Sequence, residues 1–182
     1  MSIRFKANTS KILEGLVWIA NRQPGVSFHC ALKALFYADK GHLQEHGRPV
    51  FGDTYIKMSF GPVGSNAYDM LKSSDFLPPE VISAVAGALT MKRSGKVPMA
   101  YAKRTPRLNH FSESDIRCLE NALESCISLG FNGRCEVTHQ ERAWVEAMAN
   151  GEMDYAKIID EDLPYREQLI AHLNETAMSI AL

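Results

Sequence analysis

No run of apolar residues in the chain is long enough to cross a bilayer, which takes about 18 or more in succession. The opening residues, Met1-Ser2-Ile3-Arg4-Phe5-Lys6, are polar and lack the apolar segment of a secretory signal, so a cytoplasmic location is expected. Cysteine is sparse. Cys30, Cys118, Cys126 and Cys135 contain no Cys-x-x-Cys pair, and three of them sit in or beside helix-like apolar runs, which reads as reduced, mostly buried thiols. A phosphate-loop signature is also missing. Gly61-Pro62-Val63-Gly64 precedes a helix, but it has neither the Gly-Lys-Ser/Thr ending nor the G-x-G-x-x-G pattern, and Pro62 removes a backbone donor, so the segment reads as a turn. Nor does one sign of charge dominate. Twenty Lys and Arg face 21 Asp and Glu, a net charge of −1, whereas nucleic-acid-binding domains tend to be strongly basic.

What is present is enough apolar sequence (46% of 182 residues) for one core, or one core with a satellite. Helical periodicity recurs along the chain. Asn8, Thr9 and Ser10 offer caps for a helix carrying Ile12, Leu16, Ile19 and Ala20, ended by Pro24-Gly25. Ser27 caps a second helix to about His46, with Phe28, Leu32, Leu35, Phe36 and Leu43 on its apolar face and His29, Lys33, Tyr37, Lys40 and Gln44 as a polar stripe. Gly47 follows as a terminating glycine. Residues 50–51 and 55–60 read as short strands around the hairpin-type dipeptide Gly52-Asp53. Ser65 or Asn66 caps a short helix, Pro78-Pro79 opens another over 81–89, and 90–110 is irregular with a strand at 97–102. Ser112-Glu113-Ser114-Asp115 starts a strongly amphipathic helix that Gly130 and Gly133 end. Thr138-His139-Gln140-Glu141 matches a capping box before Ala143, Trp144 and Ala147. Asp154 caps a short turn, and Pro164 opens a last helix with Leu169, Leu173 and Ile180, which either closes the core or faces a partner. The expected fold is mainly α (α+β): a compact multi-helix single domain with a short β-hairpin and minor extended strands.

Candidate chemistry is thin. His42 and His46 have the i, i+4 spacing of metal ligands, but no third ligand accompanies them. Cys30 and His29, being adjacent on a helix, point about 100° apart and do not form a nucleophile–base pair. Asp39, Arg48 and Asp53 have no nucleophile, second acid or metal set beside them. Asp39 lies on an apolar face and needs a partner: Arg48, or backbone N–H groups of the hairpin. No catalytic residue, metal or cofactor is expected. The one charge asymmetry is residues 92–107, with Lys92, Arg93, Lys96, Lys103, Arg104 and Arg107 and no acid. It is a solvated loop, a docking surface for an acidic partner, or a nucleic-acid contact; only Tyr101 is available to stack on a base.

The block 35–68 resembles the SocA-like antitoxin family, or Panacea domain. The matching elements are Leu35-Phe36-Tyr37-Ala38-Asp39 with Leu43, Gly47-Arg48-Pro49-Val50, Gly52-Asp53 with Tyr55, and Gly61-Pro62-Val63 with Tyr68. Ser112-Glu113-Ser114-Asp115 with Leu119, and Thr138 with Trp144, extend the likeness over roughly residues 10–160. The resemblance implies a family domain over 1–160, with 161–182 as a C-terminal helix packing on or extending it. It also implies a bacterial or phage antitoxin that neutralises a co-encoded toxin by protein–protein contact, without catalysis. Delivery of the toxin to a cellular protease, or nucleic-acid binding through 92–107, are the alternatives, and a homo-oligomer stays open. Asp39, Arg48, Gly52, Asp53, Gly61, Pro62 and Trp144 then form the structural motif. Exposed candidates for the partner surface are Tyr37, Lys40, Tyr55, Lys57, Met58, Arg93, Tyr101, Lys103 and Arg104. The region 72–110 and the tail after Gly151 exceed a minimal domain and are further candidates. In residues 55–60 the expectation is a polar face of Tyr55, Lys57 and Ser59 turned toward a partner.

Overall fold

Asn8 accepts a hydrogen bond from the Lys11 N–H and starts helix α1 (Thr9–Arg22) in the computed structural model, which describes residues 3–182. Met1 and Ser2 of the polar opening lie outside the described residues. Ser27 closes a two-residue strand β1 (Val26–Ser27) and caps α2 (Phe28–His46) through the Cys30 N–H. Helix α2 ends at Gly47, whose left-handed backbone lets its N–H reach the Leu43 carbonyl. The expected polar stripe on α2 is only half-exposed, and Lys33 within it is 1% exposed. An amphipathic pattern assumes one buried face, but α2 is the central helix, flanked by neighbours on several sides.

The hairpin lies later than expected. Strand β2 (Tyr55–Met58) pairs antiparallel with β3 (Gly61–Gly64), and the chain turns at Ser59-Phe60 rather than at Gly52-Asp53. The Gly52 N–H bonds the Asp39 carboxylate and the Asp53 carbonyl accepts from the Tyr155 hydroxyl, so tertiary contacts override the local turn preference. Helices α3 (Ser65–Lys72) and α4 (Pro79–Ala88) follow, and α4 runs directly into strand β4 (Leu89–Ser94). Strand β5 (Val97–Ala102) has the expected bounds, whereas β4 falls where an irregular stretch was expected. No loop separates α4 from β4, and Gly87 in the last turn of α4 is the one local mark of the change. The three strands form one antiparallel sheet in the order β1-β5-β4.

Ser112 and Asp115 make a reciprocal capping box for α5 (Glu113–Thr138). The helix kinks at Gly130 (φ 63°) and then resumes, where the glycines were expected to end it. Thr138 therefore lies in the last turn of α5, its hydroxyl donating to the Arg134 carbonyl, and Glu141 rather than Thr138 precedes α6 (Arg142–Glu146). Asp154 caps α7 (Tyr155–Ile158), and α8 (Arg166–Thr176) is the last α-helix.

The fold is mainly α, with 57% of residues helical and 13% extended. One apolar core lies between α1, α2, α3, β5 and the first half of α5. A second gathers Phe36, Leu43, Tyr55, Tyr155 and Ile158, and α8 contributes Leu169 and Leu173 to it, closing the core with these two side chains. Among the described residues no helix is long and apolar enough to cross a membrane.

Candidate interaction surface

Two buried carboxylates shape the segment that carries the hairpin. Asp39 projects from α2 and accepts hydrogen bonds from the Phe51 N–H (2.7 Å), the Gly52 N–H (3.0 Å) and the Tyr55 hydroxyl (2.9 Å). Gly52 is needed for this approach: its φ is 65°, and a Cβ there would crowd Phe5 and Leu182. Asp53 accepts from the N–H groups of Thr54, Asn66 and Ala67 and from the Asn66 amide, so it caps α3, a role the sequence reading gave to Ser65 or Asn66. The two aspartates pin opposite ends of the approach to β2.

Arg48 is not the partner of Asp39. Its guanidinium stands 3.0 Å from Asp115 at the N-terminus of α5, because the turn after Gly47 directs it away from the Asp39 carboxylate. Asp115 also meets the buried Lys11 ammonium at 2.9 Å and accepts the Ser112 N–H at 2.9 Å. Burial pushes this carboxyl up, but Lys11, the Ser112 N–H and Arg48 outweigh that and hold it below the usual carboxylate range. His42 lies beside them, its Nδ1 2.8 Å from the Arg48 carbonyl and its Nε2 2.9 Å from the Ser114 hydroxyl. His46 packs at its side in a tilted arrangement, with ring centroids 4.4 Å apart. Asp39, Arg48 and Asp53 thus belong to separate networks rather than one acid group.

The hairpin overhangs a groove of about 690 Å³. Its floor is Phe28, Leu32 and Lys33 of α2, with Val63 of β3. One lip is the hairpin turn, where Phe60 is 60% exposed. Facing it is α5 just past the kink, where Phe131 is 47% exposed, with the two rings 5.6 Å apart between centroids. The far rim is the β4–β5 turn, with Arg93, Lys96 and the 48%-exposed Val97, and Lys72 of α3 completes it. Gly61 makes the tight hairpin possible. Its φ is 96°, and a Cβ would overlap the Thr138 hydroxyl and lie 2.9 Å from Lys33 Cε. His29 secures both lips: its Nδ1 accepts from Arg134 Nε (3.0 Å) and its Nε2 contacts the Phe60 carbonyl (3.1 Å). These contacts suit the neutral ring, and burial pushes its pKa down to about 4.

Lys33 is the unusual member of this floor. Its ammonium donates to the Pro62 carbonyl at 2.7 Å, and no Asp or Glu lines the groove. Burial pushes its pKa down to about 7. A lysine depressed in the folded state contributes stability that is complete above its unfolded pKa of about 10.4 and is lost as pH falls through the folded value. Relative to Lys33→Met, the wild-type protein should therefore gain about 1 kcal/mol per pH unit from about pH 7 to about pH 8.5, and the thiols, being common to both proteins, cancel in the difference. Paired urea titrations across that window measure it. A constant difference between the two proteins would show that Lys33 keeps an ordinary pKa.

The sequence-predicted surface residues disperse over the molecule. Met58 and Arg93 line the groove. Tyr37 is half-buried beside a separate cleft between α2 and α5. Tyr55 is 1% exposed, turned inward by its hydroxyl bond to Asp39, so the expected polar face loses its aromatic to the core, while Lys57 is half-buried and Ser59 exposed. Lys40 is held between Glu141 and Asp160. Lys57 donates to the carbonyls of Val145 and Ala147 and lies over Trp144, whose indole N–H donates to the Met58 carbonyl. Tyr101 packs under Lys92, and Lys103 donates to the Ala86 carbonyl. Arg104 makes a two-pronged ion pair with Glu14. The basic stretch is thereby divided: Lys103 and Arg104 tie the strand to the helices, while Arg93 and Lys96 remain at the groove. Phe60 and Phe131 are the principal omissions of the sequence reading. Each stands beside a glycine with positive φ, Gly61 and Gly130, and an aromatic flanking a glycine at a predicted break was the available signal.

A family model described as "Antitoxin SocA-like, Panacea domain" matches residues 32–145, from the second turn of α2 into α6. Neither the curated proteins nor the solved structures compared with the chain include a match.

Proposed function

The chain belongs to the SocA-like antitoxin family, the Panacea domain, and from that membership we propose that it is the antitoxin of a toxin–antitoxin pair and silences its toxin by direct binding, without catalysis. The observation that carries this reading is the match over residues 32–145. That span contains the hairpin, the β4–β5 turn and the kinked α5, the elements that build most of the groove. The burial of the motif supports a binding role. Asp39, Asp53 and Asp115 spend their polar atoms on the chain's own backbone and side chains, so the resemblance rests on residues that shape a surface. Lys103 and Arg104, tied to Ala86 and Glu14, leave the basic stretch with fewer free cations for nucleic acid.

The test is co-expression of the chain with each neighbouring gene, scoring growth and co-purification together. The expected result is one neighbour that arrests growth alone, is silenced by this chain, and is recovered in a complex with it. A set of neighbours with no toxic member would overturn the antitoxin reading. A toxin silenced by disappearance, without a recoverable complex, would overturn neutralisation by binding.

A further inference from the structure

Building on the antitoxin reading, we propose that the groove between the hairpin turn, the kinked half of α5 and the β4–β5 turn takes an acidic amphipathic segment of the toxin, with an apolar side chain packed against the exposed surface of the paired Phe60 and Phe131 rings and a carboxylate directed at Lys33 and the rim cations. Two independent features of the groove specify this occupant.

The first is charge. The chain as a whole is balanced, at −1, yet the groove collects Lys33, Lys72, Arg93, Lys96 and Arg134 and no acid. Two of these are buried. Lys33 has three N–H donors and uses one, on the Pro62 carbonyl. Arg134 donates to the Cys126 carbonyl and to His29. Elsewhere the buried cation Lys11 has its own carboxylate, Asp115, within 2.9 Å. A desolvated ammonium without a counter-ion is costly, and a partner carboxylate would supply charge-assisted hydrogen bonds where water is largely excluded.

The second is the apolar lip. Phe60, Val97 and Phe131 come from three separate elements and expose large apolar surface around one opening. Aromatic and arginine side chains around a central depression are what protein-binding hot spots are made of. A nucleic acid would find apolar walls where it needs a continuous row of cations.

The probe is 8-anilinonaphthalene-1-sulfonate, an aromatic anion that shares the occupant's chemistry, titrated into the full chain. The wild-type protein should bind it at one site with strong fluorescence. Arg93→Glu/Lys96→Glu should weaken it about tenfold, as removal of complementary charge does, and Phe131→Ser several-fold. The distant exposed Lys6→Glu should leave it unchanged, and circular dichroism checks that each variant stays folded. Toxin added to the dye complex should displace the dye, and the double reversal should weaken toxin binding in parallel. Dye binding that ignores these substitutions would overturn the groove's assigned chemistry. Toxin bound with the dye still seated would place the docking surface elsewhere and leave the antitoxin reading intact. Absence of toxin binding to the wild-type chain would overturn the antitoxin reading and this occupant with it. Dye displacement by a duplex oligonucleotide, or a groove-dependent dimer in sedimentation, would assign the groove to nucleic acid or to a second copy and overturn the proposal.

Discussion

Asp39→Ala is expected to destabilise the folded protein by about 3–5 kcal/mol, because it strands three buried donors at once. The Phe51 and Gly52 N–H groups and the Tyr55 hydroxyl all point at the missing carboxylate, in a place sealed from water. For a chain of this length that corresponds to a fall in Tm of roughly 10 °C, read by thermal circular dichroism. A Tm within two or three degrees of wild type would mean that water enters and replaces the carboxylate. The same residue has a pH signature. Burial pushes Asp39 up to about 7, against the downward pull of the Phe51 N–H, Tyr55 and the Gly52 N–H. A carboxyl raised in the folded state contributes stability that is full below its unfolded pKa of about 3.9 and is lost as pH rises through the folded value. Compared with Asp39→Asn, wild type should therefore lose stability between about pH 4.5 and about pH 7. The comparison matters because the histidines His29 and His42, depressed by burial, act in the opposite direction over the same range.

Asp115→Ala should cost a similar amount, about 3–5 kcal/mol, for a different reason. It removes the counter-ion of Lys11, an ammonium buried under α1, and half of the capping box of α5, and it leaves Arg48 without its carboxylate. The diagnostic is the double variant Lys11→Met/Asp115→Leu. Replacing both members of a buried pair removes the uncompensated charge, so most of the lost stability should return. A double variant as unstable as the single one would put the cost in the cap rather than the ion pair. Because Asp115 is held below its usual pKa, its contribution is present at neutral pH and disappears as pH falls through the acid range, so wild type and Asp115→Ala should converge in stability on acidification.

These two carboxylates mark what the sequence makes legible and what it does not. Asp39 stands on the apolar face of a helical repeat, so its need for a partner is visible from spacing alone. Which partner it has depends on where residues 50–52 lie in space. The helix starts at Asn8, Ser27 and Ser112 and the stop at Gly47 were readable because caps act over three or four residues. The hairpin register was not, since the local preference of Gly52-Asp53 yields to side chains 13 residues away. The burial of Lys33 escaped because a polar residue at a helical interval signals solvent unless the helix is central. The kink in α5 escaped because Gly130 reads as an end when nothing local says the helix resumes. The groove was the least legible part. Its floor comes from α2, its lips from the hairpin and α5 and its rim from the β4–β5 turn, each needed to make the others' side chains converge.

That scattered origin has a bearing on how binding at the groove would end. The residues lining the groove run from Ser27 to Arg134, so no short fragment carries the surface. Some inhibitory proteins hold their target with a flexible tail that works even when the rest is damaged. Here loss of the fold would dismantle every wall together. A partner held in this groove would stay bound at full strength while the chain is folded, and be released in a single step when the fold is lost.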